Sequence, residues 1–198
     1  TVRLALQELE KQGYIYRQHG KGTFVSDLSK QVTNLSGSYS FTEQMRSVGK
    51  TPETKILEFE VVEANKYLAG RLGVSLGEKL LKLKRLRLAD GQPMMLERSY
   101  LPAKKFLTLT RELLEQKPLY DLFSQEFNQT IRVANEEFFA TIAKSKDARQ
   151  LQIIEGSPVL SLRRTTYNTE NEIIEFTLSV ARADQFRYRI AHVRTPEN

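Results

Sequence analysis

The sequence predicts an α+β fold with a mainly antiparallel sheet, preceded by a small helix–hairpin unit. Three observations predict it. Six strand-like runs, at residues 55–62, 79–88, 94–101, 131–142, 159–167 and 173–182, are rich in β-branched and apolar residues. Two pairs of these runs are separated only by turn residues, Asp90-Gly91 and residues 168–171, as hairpins require. Helical stretches at residues 64–72, 111–126 and 145–150 fall between strands, so helices and hairpins share one domain.

The first 25 residues read TVRLALQELEKQGYIYRQHGKGTFV. Val2, Ala5, Leu6 and Leu9 recur at i, i+3, i+4 and i+7, one face of a helix, with Arg3, Gln7 and Glu10 off that face. Gly13 follows the last periodic residue, where a helix end favours glycine. Tyr14, Ile15 and Tyr16 have strand character, and Thr23, Phe24 and Val25 return as a second strand. Between them Gln18 to Gly22 form a glycine-rich turn carrying Lys21. A helix followed by a small basic hairpin is the geometry of a winged DNA reader, whose helix enters the major groove while the wing follows the backbone or minor groove.

Residues 27–38, DLSKQVTNLSGS, are polar and read as a linker. Ser40-Phe41-Thr42-Glu43 has the form of a capping box and opens a short helix that ends near Gly49 and Pro52. The expected division is a DNA-binding piece at 1–26, a linker at 27–38 and one larger domain at 39–198.

Composition narrows the function classes. The 198 residues contain no cysteine, which excludes disulfides and thiolate metal sites. The formal charge of +6 suits a nucleic-acid partner without requiring one. No apolar run reaches the roughly 20 residues a membrane span needs. The two histidines, His19 and His192, stand in no Ser-His-Asp or metal-binding pattern, and there is no phosphate-binding glycine loop. A DNA-binding regulator is expected, without cofactor, metal or membrane, and cytoplasmic. The alternative is an enzyme that stabilises an anion with arginines and glutamates.

The strand at 79–88 carries an anomaly. Leu81 and Leu83 share a face with Arg85 and Arg87, while Lys82 and Lys84 share the other with Leu86 and Leu88. Pattern alone leaves two readings. Unbroken alternation puts two arginines on a core face, a costly arrangement that a phosphate or carboxylate would answer with bidentate contacts. A β-bulge at Lys84 would return both to solvent. Glu97 and Glu175 likewise interrupt apolar or neutral strand segments, either as ligand acceptors or as exposed salt-bridge partners of Arg98, Arg163 or Arg164.

The N-terminal residues resemble the GntR family of bacterial transcriptional regulators, whose pattern here is TVR-x-AL-x-x-L-x-x-x-G-x-[LIY] followed by G-x-GT-[FY]-V. The resemblance implies that the rest of a winged helix-turn-helix precedes Thr1. It places Thr1 and Arg3 near operator DNA and Gly20, Lys21 and Gly22 at the wing tip against phosphate. Residues from about Tyr39 to Arg194 resemble the UTRA effector domain of the HutC-type subgroup. The matching segments are SFTEQMRSVGKTP, RLRLADGQPMMLERSYLP, GSPVL with RRTTY, and EFTLSVARADQFRY. This implies a chorismate-lyase-like fold, a homodimer and a small effector that alters operator affinity.

In relatives that sense sugar phosphates, the resemblance assigns the positions of Arg85 and Arg87 to phosphate. It adds Ser40, Phe41 and Thr42, at a helix start suited to an anion, and puts Glu97 and Glu175 in the pocket. It therefore implies a repressor of a carbohydrate operon that responds to a sugar phosphate, or to an organic acid as in histidine-pathway relatives. One position departs. The family's closing Y-R-x-D-x-[YF] reads Ala181-Arg182-Ala183-Asp184-Gln185-Phe186 here. Ala181 in place of tyrosine implies a ligand bulkier than, or held differently from, the amino-sugar phosphates of some relatives. Asp184 is expected to pair with an arginine.

Overall fold

In the computed structural model, the described residues are 2, 4–6, 15–18, 22–25, 41–47 and 49–185. The chain divides into two compact units, Thr1–Tyr39 with Tyr188–Asn198, and Ser40–Arg187.

In the first unit Val2 and residues 4–6 are helical. Strand β1 (Ile15–Gln18) pairs antiparallel with β2 (Gly22–Val25), in register from Ile15 with Val25 to Gln18 with Gly22. Gly22 has φ of 113°, a conformation that L side chains rarely adopt, so glycine is needed where the chain re-enters the hairpin. Thr1, Arg3, Gly20 and Lys21 lie outside the described residues.

The second unit is a six-stranded antiparallel sheet with short helices on both faces. Its elements are α1 (Phe41–Ser47), β3 (Pro52–Glu63), α2 (Lys66–Leu72), β4 (Lys79–Ala89) and β5 (Gln92–Pro102). A 3-10 turn (Ala103–Lys105) leads to α3 (Arg111–Gln116) and α4 (Leu119–Gln125). Then come β6 (Ile131–Ile142), α5 (Ser145–Leu151), β7 (Pro158–Asn168) and β8 (Ile173–Arg182). The strand order is β3-β4-β5-β8-β7-β6, so two meanders meet where β5 pairs with β8.

All six expected strands form, and both expected hairpins close. Asp90 and Gly91 both take positive φ, 51° and 74°, and Ala89 pairs with Gln92 across a two-residue turn of the mirror-image type that matches strand twist. Two helical expectations need correction. The helix at 64–72 begins only at Lys66, because Asn65 caps it by accepting from the Leu68 N–H at 2.9 Å. The single helix expected over 111–126 is two. Pro118 has no N–H to donate and holds Lys117 extended (φ −133°, ψ 147°), so α3 ends at Gln116 and α4 restarts at Leu119.

The sheet buries both faces, unequally. On one, Leu81, Leu83 and Leu101 pack with Phe106, Leu109, Leu119, Leu122 and Phe123 under α3 and α4. On the other, α2 sets Leu68 and Leu72 on Leu80 and Phe176, and α5 sets Leu151 on Leu86, Leu88 and Leu96. Each such side chain contributes about 1.5–3 kcal/mol when fully buried. No helix among the described residues is long and apolar enough to cross a membrane.

Candidate functional site

The core face of the sheet changes from apolar to polar along β4. Leu81 and Leu83 are buried in the core, and the next two residues of that face, Arg85 and Arg87, are only 8% and 7% exposed. The alternation runs unbroken through Lys84. A bulge does occur opposite this point, but it lies in β3, where the register shifts between Ile56 and Glu58. The partner strand absorbs the extra residue, so β4 keeps both arginines facing inward.

Glu97 stands directly across from Arg85 on β5 and is also buried. Its Oε2 lies 3.1 Å from Arg85 Nη2 and 3.7 Å from Arg87 Nη1. These are ion-pair distances, yet Oε2 accepts a well-directed hydrogen bond from neither arginine, and it has no other partner among the described residues. The Nε of Arg85 and the Nε of Arg87 are buried and equally without a hydrogen-bond acceptor among the described residues. Two guanidinium groups thus share one carboxylate. Burial pulls the Arg87 guanidinium down to about 10, with Glu97 opposing and Arg85 adding to the shift, so it stays charged at neutral pH. Burial also works against the Glu97 carboxylate, but Arg85, Arg87 and Arg164 outweigh it and hold the group below its ordinary range.

Helix α1 covers Arg87. The Phe41 ring lies under the guanidinium at 4.9 Å, and Thr42 Oγ1 accepts from Arg87 Nη2 at 3.2 Å. Phe41 and Thr42 are thereby brought to the arginine pair. Ser40, and with it the capping contact expected of it, lies outside the described residues.

Glu175 sits deeper in the same layer, 1% exposed. It accepts from Ser99 Oγ at 2.9 Å, Tyr120 Oη at 2.8 Å and Thr166 Oγ1 at 3.0 Å. A carboxylate with three hydroxyl donors and almost no accessible surface is a scaffold group rather than an open acceptor. Neither glutamate makes the exposed salt bridges considered above. Arg98 pairs with Asp147 of α5, Arg163 with Glu137 and Arg164 with Glu136.

Three neighbours of the site, Ser99, Thr177 and Tyr120, have no signal of their own in the sequence, and Arg164 is expected there only as an exposed partner. Ser99 and Thr177 share a 2.8 Å hydroxyl contact beneath Arg85, and Arg85 Nη2 reaches Ser99 Oγ at 3.5 Å. Arg164 donates to Glu136 through Nε and to Tyr120 Oη at 2.9 Å. Burial alone would lower Arg164, but Tyr120, Glu136 and Glu175 hold it well above its ordinary value, and burial raises the Tyr120 phenol. Together these side chains form a hydrogen-bonded layer from β4 across β5, β8 and β7 to β6. Part of the signal was present: Glu175, Thr177 and Ser179 alternate along β8, which places them on one face.

Ala181 has no accessible surface and lies opposite Met95 and Leu160 in register. Asp184 pairs as expected, accepting from Arg182 at 3.1 and 2.6 Å. No cluster of three metal-ligating side chains occurs among the described residues.

The UTRA domain family matches residues 47–187. The chain is 36% identical over 191 residues to the HTH-type transcriptional repressor NagR of Bacillus subtilis, covering 95% of this chain and 76% of that protein. The ligand-binding domain of a Bordetella bronchiseptica protein described as a GntR-family transcriptional regulator is 28% identical. It superposes with a TM-score of 0.69, over 72% of this chain and 91% of that one. PhnF of Mycobacterium smegmatis, at 24% identity, shares the fold with a TM-score of 0.72 over 98% of this chain and 84% of its own. The relatives are named as regulators and not as enzymes. The chain belongs to the GntR family of HTH-type transcriptional regulators, and its larger unit is a UTRA domain.

Proposed function

We propose that the larger unit binds a small anionic effector, a phosphorylated sugar, against Arg85 and Arg87, and that binding alters the operator affinity of a homodimeric repressor of carbohydrate genes. The observation that carries this reading is the charge imbalance at the arginine pair. Two buried guanidinium groups face one carboxylate, and the Nε of each has no acceptor among the described residues. A phosphate supplies both the missing charge and the missing acceptors.

Glu97 Oε2, also without a hydrogen-bond donor, then accepts from a hydroxyl or ammonium group on the sugar beside the phosphate. Phe41 and Thr42, which cover Arg87, add contacts to the effector, and a contact to it is assigned to Ser40 as well. Glu175 holds Ser99 and Tyr120 in place and acts on the effector through them.

In the same reading, residues 1–26 belong to the DNA-binding domain and 27–38 to the linker. Thr1 and Arg3 contact the operator, with Gly20, Lys21 and Gly22 along its backbone. The effector acts by population shift, through its differential affinity for dimers whose reading heads do and do not match the half-site spacing.

Thermal-shift and calorimetric titration with hexose 6-phosphates, the parent hexoses and di- and tricarboxylic acids tests the effector class. The expected result is saturable binding of a phosphorylated sugar, absent for its parent sugar and lost in R85A. Binding of the acids alone would replace the sugar phosphate by an organic acid. Unchanged affinity in R85A would overturn the anion site.

A further inference from the structure

Nine polar or charged side chains are buried among the described residues. Eight of them have a polar partner. Arg85 pairs with Glu97, Arg87 meets Thr42, Ser99 and Thr177 meet each other, Thr166 donates to Glu175, and Asn168 donates to Gln129. Ser179 is the ninth, 6% exposed, and its hydroxyl has no hydrogen-bond partner among the described residues. A folded chain seldom buries a hydroxyl unanswered. The register places this one in the site. Arg85, Glu97 and Ser179 stand in one row across β4, β5 and β8, each the direct partner of the next, so all three share the inward face. Ala181, the next residue of that face on β8, and Leu162, the partner of Ser179 on β7, carry no polar side-chain atom. On the other side of Ser179, Glu97 Oε2 also lacks a hydrogen-bond donor. Directly opposed residues on neighbouring strands lie close enough for one atom of a ligand to reach both side chains.

We propose that Ser179 is a specificity-determining residue of the effector site, and that Ser179 and Glu97 hold one hydroxyl group of the effector between them. This contact rests on the preceding reading, in which Arg85 and Arg87 take the phosphate, and is the effector's second point of attachment. The chemistry selects a hydroxyl. Glu97 only accepts, so the group must donate to it. The Ser179 hydrogen needs an acceptor, so the same group must accept as well. A hydroxyl does both. An ammonium donates to each oxygen but leaves the serine hydrogen without an acceptor. Ser99 and Thr177, one row along, have a different part, because their hydroxyls already bond each other and Glu175. Ser179 therefore reads the sugar, and the arginines read the phosphate.

Calorimetric titration of the full chain with inorganic phosphate, hexose 6-phosphates and their monodeoxy analogues tests this in wild type, S179A and R85A, with melting temperatures taken alongside. Without ligand, S179A should melt no lower than wild type, since the hydroxyl has no bond to lose. It should bind the hexose 6-phosphate of highest wild-type affinity roughly three- to tenfold more weakly, the effect of one hydrogen bond, and inorganic phosphate as wild type does. One monodeoxy analogue of that sugar phosphate should bind wild type and S179A equally. R85A should lose both ligands. Unchanged sugar-phosphate affinity in S179A, an equal loss for inorganic phosphate, or a lower melting temperature without ligand would overturn the role of Ser179 and leave the anion site standing. So would a difference between wild type and S179A that every monodeoxy analogue preserves. No binding of any hexose 6-phosphate to wild type, or unchanged affinity in R85A, would overturn the effector reading and the Ser179 contact with it.

Discussion

Replacing Glu97 by Gln isolates the charge imbalance at the arginine pair. The substitution keeps the shape of the side chain and removes the carboxylate shared by Arg85 and Arg87 at 3.1 and 3.7 Å. All three residues are buried, so solvent screens little of the loss. Removing one partner of a buried ion pair costs about 3–5 kcal/mol, because the charge left behind is uncompensated. In a unit of this size each kcal/mol moves the melting temperature by about 2–4 °C. E97Q should therefore melt at least about 6 °C below the wild type in anion-free buffer.

The pH dependence has a definite sign. Glu97 is held below its ordinary value in the folded state, so its contribution is present above that value, 4.5, and is lost as the pH falls below it. E97Q should lack that part of the acid limb. Inorganic phosphate should then restore stability, and by more in the variant than in the wild type, since the variant's arginines have no other anion. At a hundredfold excess over its dissociation constant a ligand contributes about 2.7 kcal/mol. Differential scanning calorimetry with and without phosphate measures all three effects. Equal melting temperatures, or equal phosphate responses, would refute the reasoning that two unanswered cations dominate this site.

Other perturbations follow from the same geometry. Tyr120→Phe removes the hydroxyl that joins Glu175 at 2.8 Å to Arg164 at 2.9 Å and should cost about 1–3 kcal/mol in urea unfolding. Leu122→Ala, at a fully buried position on the core-facing side of α4, should cost about 2–5 kcal/mol by the same assay without displacing the arginines. Glu58 is held down to about 2 by Lys82 and Lys84, so its contribution is present above 4.5 and lost as the pH falls through about 2. Because Glu58 is 38% exposed, E58Q should flatten the acid limb only slightly, in contrast to E97Q.

Much of the sheet was legible because its strands alternate and its hairpins carry the residues their turns need. Asp90-Gly91 supplies two positive φ angles, and β4 and β5 follow from it. The break between α3 and α4 has a signal in the sequence, since Pro118 cannot donate into a helix, but residues 111–126 read as one helical stretch across it. The arginine face could be narrowed only to two alternatives. The bulge that decides between them lies in β3, and no local pattern in β4 reports which strand absorbs an extra residue.

The hydroxyl layer was less accessible still. Ser99, Tyr120, Arg164 and Glu175 meet through the pairing of β5 with β8 and of β8 with β7, together with a tyrosine from α4. The contacts among these four side chains join residues 44 to 76 positions apart in sequence, beyond any local periodicity. Glu175 illustrates the consequence. As an acid in an apolar or neutral strand segment it read either as a ligand acceptor or as an exposed salt-bridge partner, and neither reading anticipates the three hydroxyl groups that donate to it.

A crystal structure grown with a phosphorylated sugar, or with inorganic phosphate alone, tests the central claim most directly. The expected result is tetrahedral density between Arg85 and Arg87, with oxygens at roughly 2.7–3.2 Å from their Nε atoms and Glu97 still beside them. A ligand seated elsewhere, with both Nε atoms still lacking an acceptor, would contradict it.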